Sequence, residues 1–371
     1  MQFSPVQTAA IDAVAGWFYY ATKERQVFRV WGFAGTGKTT LARHFANEVD
    51  GRVHYAAFTG KAAMVMRKNG CDGAATIHST IYKVDIDEET GRTKFKKRPK
   101  YDLQGVKLLI IDECSMVDED LGRDLLSFGI PILVLGDPAQ LPPVKGGGFF
   151  TNADPDIMLT EIHRQAAENP ILRAATAIRE GRSLKHGDFG KLRIIRREDV
   201  HQGTVQDVDQ VLVGMNRTRT AYNDRLRELA GFDSPLPQQG DTLVALKNDA
   251  ELGIFNGGLW KVLDLKKRSR GSQEDHCVHM CVKSLDFEDA APVDVRVRKE
   301  FFRGRGNEVD WKELRGTQQF DFGYALTVHK SQGSQWGSVC LFDESSTFGA
   351  DRGRHLYTGI TRASETLTIV T

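Results

Sequence analysis

Residues 32–39 read Gly-Phe-Ala-Gly-Thr-Gly-Lys-Thr and satisfy the pattern G-x4-G-K-[ST] at every position. The chemistry that asks for these residue types is the cradling of phosphate. Glycines let backbone N–H groups curl around phosphate oxygens, and a following helix presents its positive end. Lys38 then reaches the outer phosphates, and the Thr39 hydroxyl is a ligand for Mg2+. Gly35, Thr36, Gly37 and Thr40 complete the set expected to hold a nucleoside triphosphate. Two carboxylates follow an aliphatic run, where Leu108-Leu109-Ile110-Ile111 leads into Asp112-Glu113-Cys114-Ser115. Asp112 at such a strand tip is expected to hold Mg2+ through water, and Glu113 to polarise the attacking water. Leu133-Val134-Leu135 runs into Gly136-Asp137-Pro138-Ala139-Gln140, which places Gln140 to sense the terminal phosphate.

The elements that must position these residues follow from the apolar pattern. Val27 to Trp31, Val53 to Phe58, Val106 to Ile111 and Ile132 to Leu135 are short apolar runs bounded by turn or charge signals. Helical stretches, among them Lys38 to Glu48 and Gly60 to Lys68, lie between them. Such alternation predicts a parallel sheet covered on both faces. Ser4 as N-cap and Pro5 at the first helical position open a helix before it.

Two regions break the rhythm. Residues 82–99 read as a hairpin, with Tyr82, Val84 and Ile86 alternating with polar residues, a turn at Glu88 to Gly91, and a basic arm. Residues 237–315 carry short β-like runs (Thr242 to Leu246, Leu259 to Leu265, His276 to Val282, Val293 to Val297) and predict a small barrel or sandwich. Strand–helix alternation resumes at Phe320. The expected organisation is therefore a first α/β lobe over 1–155, a second over 156–236 and 316–371, and a β module inserted at 237–315.

Composition narrows the class. The chain has 371 residues, with 40% hydrophobic and 27% charged residues, so several domains and a globular fold are expected. No apolar run reaches the ~20 residues of a membrane span, and the opening MQFSPVQTAAIDAVAG lacks a secretory pattern. Lys+Arg 50 against Asp+Glu 49 leaves +1, so any polyanion site must come from local clustering. Five scattered cysteines argue for a reducing, cytoplasmic setting. His276, Cys277, His279 and Cys281 lie close together, yet on a strand only three share a face where a structural zinc wants four ligands. A half-buried strand is the expectation there.

Taken in order, the motifs resemble those of superfamily 1 (1B) DNA helicases of the RecD/Dda type. Gln7 is similar to the adenine-reading glutamine, Gly32 to Thr40 to motif I, and Phe58-Thr59-Gly60-Lys61-Ala62-Ala63 to motif Ia. Thr76-Ile77-His78-Ser79 resembles motif Ib, Asp112 to Ser115 motif II, and Gly136 to Pro143 motif III. Arg164 resembles the motif IV arginine, Thr327 to Ser334 motif V, and Tyr357 to Ala363, with Arg362, motif VI. The chain departs at Gln335, where such enzymes often carry glutamate for the ribose.

The resemblance implies two RecA-like P-loop lobes with parallel sheets and ATP with Mg2+ between them. It also implies a β-hairpin pin in the first lobe and a small β-barrel inserted in the second. Lys38, Asp112, Glu113, Gln140, Arg164 and Arg362 would form the catalytic set. Gln7, Gly35, Thr36, Gly37, Lys38, Thr39, Thr40, Gly333 and Gln335 would hold the nucleotide. The implied activity is ATP-dependent movement 5′ to 3′ on single-stranded DNA with unwinding of forked or tailed duplex. Thr59, Lys61, His78, Asn216, His329 and Lys330 are the expected strand contacts. Asn216 opens a predicted helix and reads equally as an N-cap. Phe95, among the hairpin cations Arg92, Lys94, Lys96, Lys97, Arg98 and Lys100, is placed to stack on a base. A second basic cluster joins Arg296, Arg298, Lys299, Arg303 and Arg305. A monomeric motor in a bacterial or virus-infected cytoplasm is expected, with single-strand-binding, replication or repair proteins as candidate partners. A translocase or motor subunit, 3′ to 5′ polarity, an RNA track and a non-travelling ATP switch stay open.

Overall fold

The computed structural model describes residues 3–86, 93–142, 148–161, 168–249, 251–266, 276–286 and 290–371, without the side chains of 84–86 and 93–95. The first six-stranded sheet runs, in spatial order, Ala75–Thr76, Arg52–Ala57, Val106–Asp112, Ile132–Gly136, Val27–Gly32 and Ile157–Leu159. Every pairing in it is parallel. Its central strands are aliphatic on both faces, and both faces are covered. On one side Trp17, Leu41 and Phe45 from the Pro5–Tyr20 and Lys38–Glu48 helices pack on Leu108 and Ile110. On the other, Ile77, Ile81, Leu121 and Leu125 pack on Leu109 and Ile111. Each such side chain, fully buried, contributes ~1.5–3 kcal/mol. The sheet extends to Leu159, a few residues beyond the expected lobe limit, because Ile157–Leu159 pairs with Val30–Gly32.

A second six-stranded sheet has the order Ala325–Thr327, Gln210–Val213, Trp336–Phe342, Ala363–Val370, Leu192–Ile195 and Gly187–Asp188. It is parallel except for the short edge strand at Gly187–Asp188. Helices Pro170–Arg179 and Arg352–Ile360 bury Ile171, Ala174, Leu356 and Ile360 on one face. Helix Asn216–Leu229 buries Leu226 on the other.

Between the halves of this second unit lies a five-stranded sheet, in the order Val293–Arg298, Cys277–Ser284, Leu259–Leu265, Thr242–Ala245 and Phe320–Phe322, all antiparallel. Trp260, Val262, Met280, Val282, Val295 and Val297 alternate inward over Phe301, Phe302, Phe320 and Phe322. Cys277 is buried and Cys281 half-buried in its strand. Phe320–Phe322 belongs to this sheet rather than to the returning α/β pattern, because it pairs with Leu243–Ala245. The antiparallel unit thus reaches past residue 315. Its anchor is the buried Arg227 fork, whose Nε and Nη2 each lie 2.9 Å from an oxygen of fully buried Asp241.

The strands Tyr82–Ile86 and Thr93–Lys97 pair as an antiparallel ribbon with Val84 opposite Phe95. The turn Glu88 to Gly91 and Arg92 lie outside the described residues, as does the Phe95 side chain. The ribbon is pinned at its base. Tyr82 Oη donates to Asp124 Oδ2 at 2.6 Å, Lys97 pairs with Asp124 at 3.0 Å, and Lys83 with Asp102 at 2.9 Å. Lys97 and Arg98, two of the hairpin cations, are thus already paired with carboxylates. Among the described residues no helix is long and apolar enough to cross a membrane.

Candidate nucleotide site and strand interface

The phosphate loop leaves the Val27–Gly32 strand and enters the Lys38–Glu48 helix, so its amides lie where a helix dipole adds to them. Gly35 and Gly37 hold φ of 81° and 80°, left-handed values that a side chain would strain. At Gly32 a Cβ would come within 2.5 Å of Thr36 Oγ1. The Lys38 ammonium folds back on the loop, 2.6 Å from the Gly32 carbonyl and 3.2 Å from that of Phe33.

Next to the loop, Thr39 Oγ1 donates to Asp112 Oδ2 at 2.7 Å. A hydroxyl and a carboxylate so close are hard oxygen donors of the kind Mg2+ takes, and the pair fits that ion. Glu113 follows at φ 54° and ψ 42°, left-handed backbone and the single positive φ outside glycine among the described residues. Such strain persists where the surroundings over-determine it, commonly in active sites. Its N–H donates to Asp112 Oδ1 at 2.8 Å. Burial pushes the Glu113 carboxyl above the ordinary range, and Asp112 and Asp137 add to the rise. Arg362 and Lys38 oppose it. One carboxyl thus feels a cation from each of the two parallel sheets.

Arg362 is buried, with Nε on the Thr358 carbonyl (3.0 Å), Nη1 on that of Ser334 (3.0 Å) and Nη2 on Thr361 Oγ1 (3.2 Å). Gln140 is also buried, and its Oε1 has no hydrogen-bond partner among the described residues. Arg164 lies outside the described residues. Gln7 is 6% exposed, donating from Nε2 to the Thr36 carbonyl (3.1 Å) and accepting from the Ser4 N–H (3.1 Å). Its amide therefore ties the first helix to the phosphate loop. Thr40 lines a small cavity of about 180 Å³ with Phe3, Arg43, His44 and Asn47. Gly333 lies against the start of the Gly60–Lys68 helix, where a Cβ would meet Thr59 Oγ1 at 2.7 Å, and Gln335 is exposed.

Several groups that sequence reasoning left without a role join the two sheets. The Ala34 N–H donates to Tyr357 Oη at 3.0 Å, and that hydroxyl donates to Asp137 Oδ2 at 2.7 Å. The Leu141 N–H donates to Thr358 Oγ1 (3.0 Å), and Gln332 Nε2 donates to the Leu141 carbonyl (2.9 Å). The Arg179 guanidinium lies 3.5 Å from the Phe33 ring centroid, on the wall of a 330 Å³ cavity shared with Pro138, Arg354 and Tyr357. The available signal was helical spacing, which puts Thr358 one turn before Arg362 and its carbonyl within reach of Nε.

The expected strand contacts divide. Asn216 is exposed at the start of its helix, and the N-cap reading fails. Glu344 instead anchors the turn that leads into the helix, accepting from the N–H groups of Gly214 (2.8 Å) and Met215 (3.0 Å). Thr59 caps the Gly60–Lys68 helix, its Oγ1 accepting from the Ala62 N–H at 3.1 Å. Lys61 departs from expectation. It is buried, 2.8 Å from Asp286 and 4.5 Å from the Trp336 ring centroid, because the antiparallel unit brings a carboxylate onto this helix. His78 packs 5.8 Å from the Phe58 ring, and burial lowers its pKa. His329 lies 5.5 Å from the Phe348 ring and is lowered for the same reason. Burial, then Arg219, bring Lys330 down to about 8 against the pull of Asp321.

An AAA domain family model matches residues 2–202, and a UvrD-like helicase C-terminal domain model matches residues 322–370. The ATP-dependent RecD2 DNA helicase of Deinococcus radiodurans is 29% identical over 98% of this chain and 48% of its own length. The ATP-dependent DNA helicase dda of Enterobacteria phage T4 is 35% identical over 41% of this chain and 37% of its own. The chain thus spans about half, or less, of these relatives. Among solved structures, the Pif1 helicase of Candida albicans superposes with a TM-score of 0.58 at 19% identity, covering 100% of this chain and 94% of that one. The Bacteroides Pif1 helicase in complex with ADP-AlF3 and ssDNA gives 0.59 at 19% identity, covering 100% and 92%. The fold is therefore the α/β, RecA-like architecture with parallel sheets. With a P-loop, a carboxylate pair and a buried arginine meeting at one seam, and an AAA-domain match over more than half its length, the chain belongs to the superfamily 1B helicases of the RecD/Dda type.

Proposed function

We propose that the chain is an ATP-dependent DNA helicase that advances 5′ to 3′ along single-stranded DNA and opens the duplex ahead of it. The observation that carries this reading is Glu113, a strained, half-buried residue whose carboxyl is acted on by Lys38 from the first lobe and Arg362 from the second. Hydrolysis at a seam between two bodies lets the nucleotide state change how they grip a strand. A single-lobe phosphotransferase has no need of such a seam.

In this reading the loop amides from Ala34 to Thr39 hold the phosphates, and Lys38 turns from its carbonyl partners toward them. Thr39 and Asp112 would hold Mg2+, which supplies positive charge beside the phosphate oxygens. Glu113, whose proton affinity is raised by burial, orients and deprotonates water. Gln140, whose buried carbonyl oxygen has no partner among the described residues, senses the same region. Arg362 and Arg164 stabilise charge spreading over the transferred group, a role worth ~10³–10⁵ in rate. Gln7, which also ties the first helix to the loop, Gly333 and Gln335 are proposed as further nucleotide contacts.

The 82–99 ribbon is proposed as the separating pin, with Phe95 stacking at the fork. The antiparallel sheet between the halves of the second lobe is proposed as the inserted small β-barrel. Thr59, His78, Asn216, His329 and Lys330 are the proposed strand contacts, while Lys61 is excluded from direct contact as long as Asp286 holds it. Single-strand-binding, replication or repair proteins remain the proposed partners of a monomeric motor.

The test is unwinding of 5′-tailed, 3′-tailed and RNA-tailed duplexes with ATP and Mg2+. Opening of the 5′-DNA-tailed substrate alone is expected. Unwinding confined to 3′ tails would overturn the polarity. ATP turnover that grows with strand length but opens no duplex would make the chain a translocase.

A further inference from the structure

The Tyr357 hydroxyl occupies an unusual place. It lies at the Arg352–Ile360 helix of the second sheet, yet both its partners belong to the first. It accepts from Ala34, an amide of the phosphate loop, at 3.0 Å. It donates to Asp137, at the end of the Ile132–Gly136 strand, at 2.7 Å. The two partners are neighbours because Val27–Gly32 and Ile132–Gly136 pair side by side. Tyr357 is 2% exposed and Asp137 is 4% exposed, so the bond between them is shielded from bulk water, while Ala34 is half-buried. Asp137 is also held from its own segment, its Oδ1 accepting from the Ala139 N–H at 3.0 Å.

We propose that Tyr357 is a positioning residue that reads occupancy of the phosphate loop and relays it to the helix carrying Arg362. This rests on the helicase reading above and deepens it. A phenol oxygen and a phosphate oxygen are both acceptors, and the loop amides are the donors that phosphate needs. With the hydroxyl on Ala34 that amide is taken, so an arriving triphosphate must displace it. The displaced hydroxyl keeps Asp137 as its acceptor, and burial together with Asp137 keeps the phenol protonated and able to donate. Its helix is linked to the same first-lobe segment through Thr358 and Leu141, and the Thr358 carbonyl holds Arg362 Nε. Movement of the hydroxyl is thereby movement of the arginine's own support.

The test compares wild type and Tyr357→Phe, which keeps the ring and loses both bonds. Binding of fluorescent ADP and of a fluorescent non-hydrolysable triphosphate is measured, then ATP turnover with and without oligo-dT. Removing the competing acceptor should tighten triphosphate binding by ~3–10-fold, the range a single net hydrogen bond gives. The ratio of DNA-stimulated to basal kcat should fall toward one. A purely packing role predicts neither change, and triphosphate affinity within twofold of wild type, or weaker, overturns the relay. An unchanged stimulation ratio does the same. Should Tyr357→Phe not fold, Asp137→Asn weakens the same bridge without touching the ring and is expected to act in the same direction. If wild type hydrolyses no ATP, the helicase reading fails by itself, while the binding measurement still decides whether the hydroxyl competes with phosphate.

Discussion

Lys61 Nζ lies 2.8 Å from Asp286 Oδ1, an ion pair whose two side chains retain 6% and 11% of their exposure. It joins the Gly60–Lys68 helix of the first lobe to the antiparallel sheet, beside Phe255, whose ring would lie 2.3 Å from a Cβ at Gly60. Breaking such a pair leaves one charge without compensation in a dry place. Asp286→Ala should therefore cost on the order of 3 kcal/mol, and Lys61→Met in the Asp286→Leu background should recover most of it. Urea unfolding of the three variants gives the comparison. A double variant as unstable as Asp286→Ala alone would show that shape, not charge, holds this contact.

Glu113 makes two separable demands on the fold. Its left-handed φ of 54° strains a residue with a Cβ, and its desolvated carboxyl resists ionisation. The folded state raises the pKa of this acid, so the unfolded chain ionises it more readily. Stability from this group is whole below the usual carboxylate pKa and is lost as pH rises from there through the folded value. Glu113→Gln should thus stabilise the protein more at pH 7.5 than at pH 4.5, and Glu113→Gly should add roughly 0.5–1 kcal/mol from relaxed backbone. Both should lose ATP turnover by ~10² or more while still binding nucleotide. Thermal midpoints at the two pH values decide the first point. An equal gain at both pH values would show that ionisation of the carboxyl costs the fold nothing.

What could be read from the chain itself was whatever depends on neighbours in sequence. The Lys38–Glu48 and Gly60–Lys68 helices begin and end where caps, glycine and periodicity put them. The phosphate loop is legible because its left-handed glycines are required by the turn itself. The fate of Lys61 is not legible, because Asp286 comes from the far half of the chain and carries no signal of its destination. The same holds for Tyr357, whose partners Ala34 and Asp137 lie in another sheet. Phe320–Phe322 reads as a strand, yet its pairing with Thr242–Ala245 rather than with a parallel neighbour is a matter of topology. Gln7 shows the converse. Its place three residues after Ser4 marks a capping box, and its Nε2 also reaches the loop.

Lys330 links strand binding to pH. Burial and Arg219 bring its ammonium down to about 8, so it is mostly charged at pH 7 and mostly neutral at pH 9. A phosphate placed against it favours the charged form, so binding takes up a proton above that value and weakens as pH rises. Affinity for labelled oligo-dT at constant ionic strength should fall several-fold between pH 7 and 9. Lys330→Arg, whose guanidinium stays ionised throughout, should flatten the dependence. Parallel curves for the two proteins would remove Lys330 from the strand interface.

Arg362 tests whether hydrolysis belongs to the seam. Its guanidinium is aimed before any ligand arrives, by two carbonyls at 3.0 Å and the Thr361 hydroxyl at 3.2 Å, each on a different nitrogen. An ammonium has one nitrogen and cannot satisfy that fork, so Arg362→Lys should behave nearly as badly as Arg362→Gln. Both should slow single-turnover hydrolysis by ~10³ or more, since the charge they remove or misplace matters most in the transition state. Nucleotide affinity should move only a few-fold, because the loop amides and Lys38 lie on the opposite sheet. This split separates a transition-state cation from a structural one, which would change stability and affinity together. Wild-type turnover in Arg362→Gln would mean that the phosphate loop works without the second lobe, and the coupling of hydrolysis to movement would need another origin.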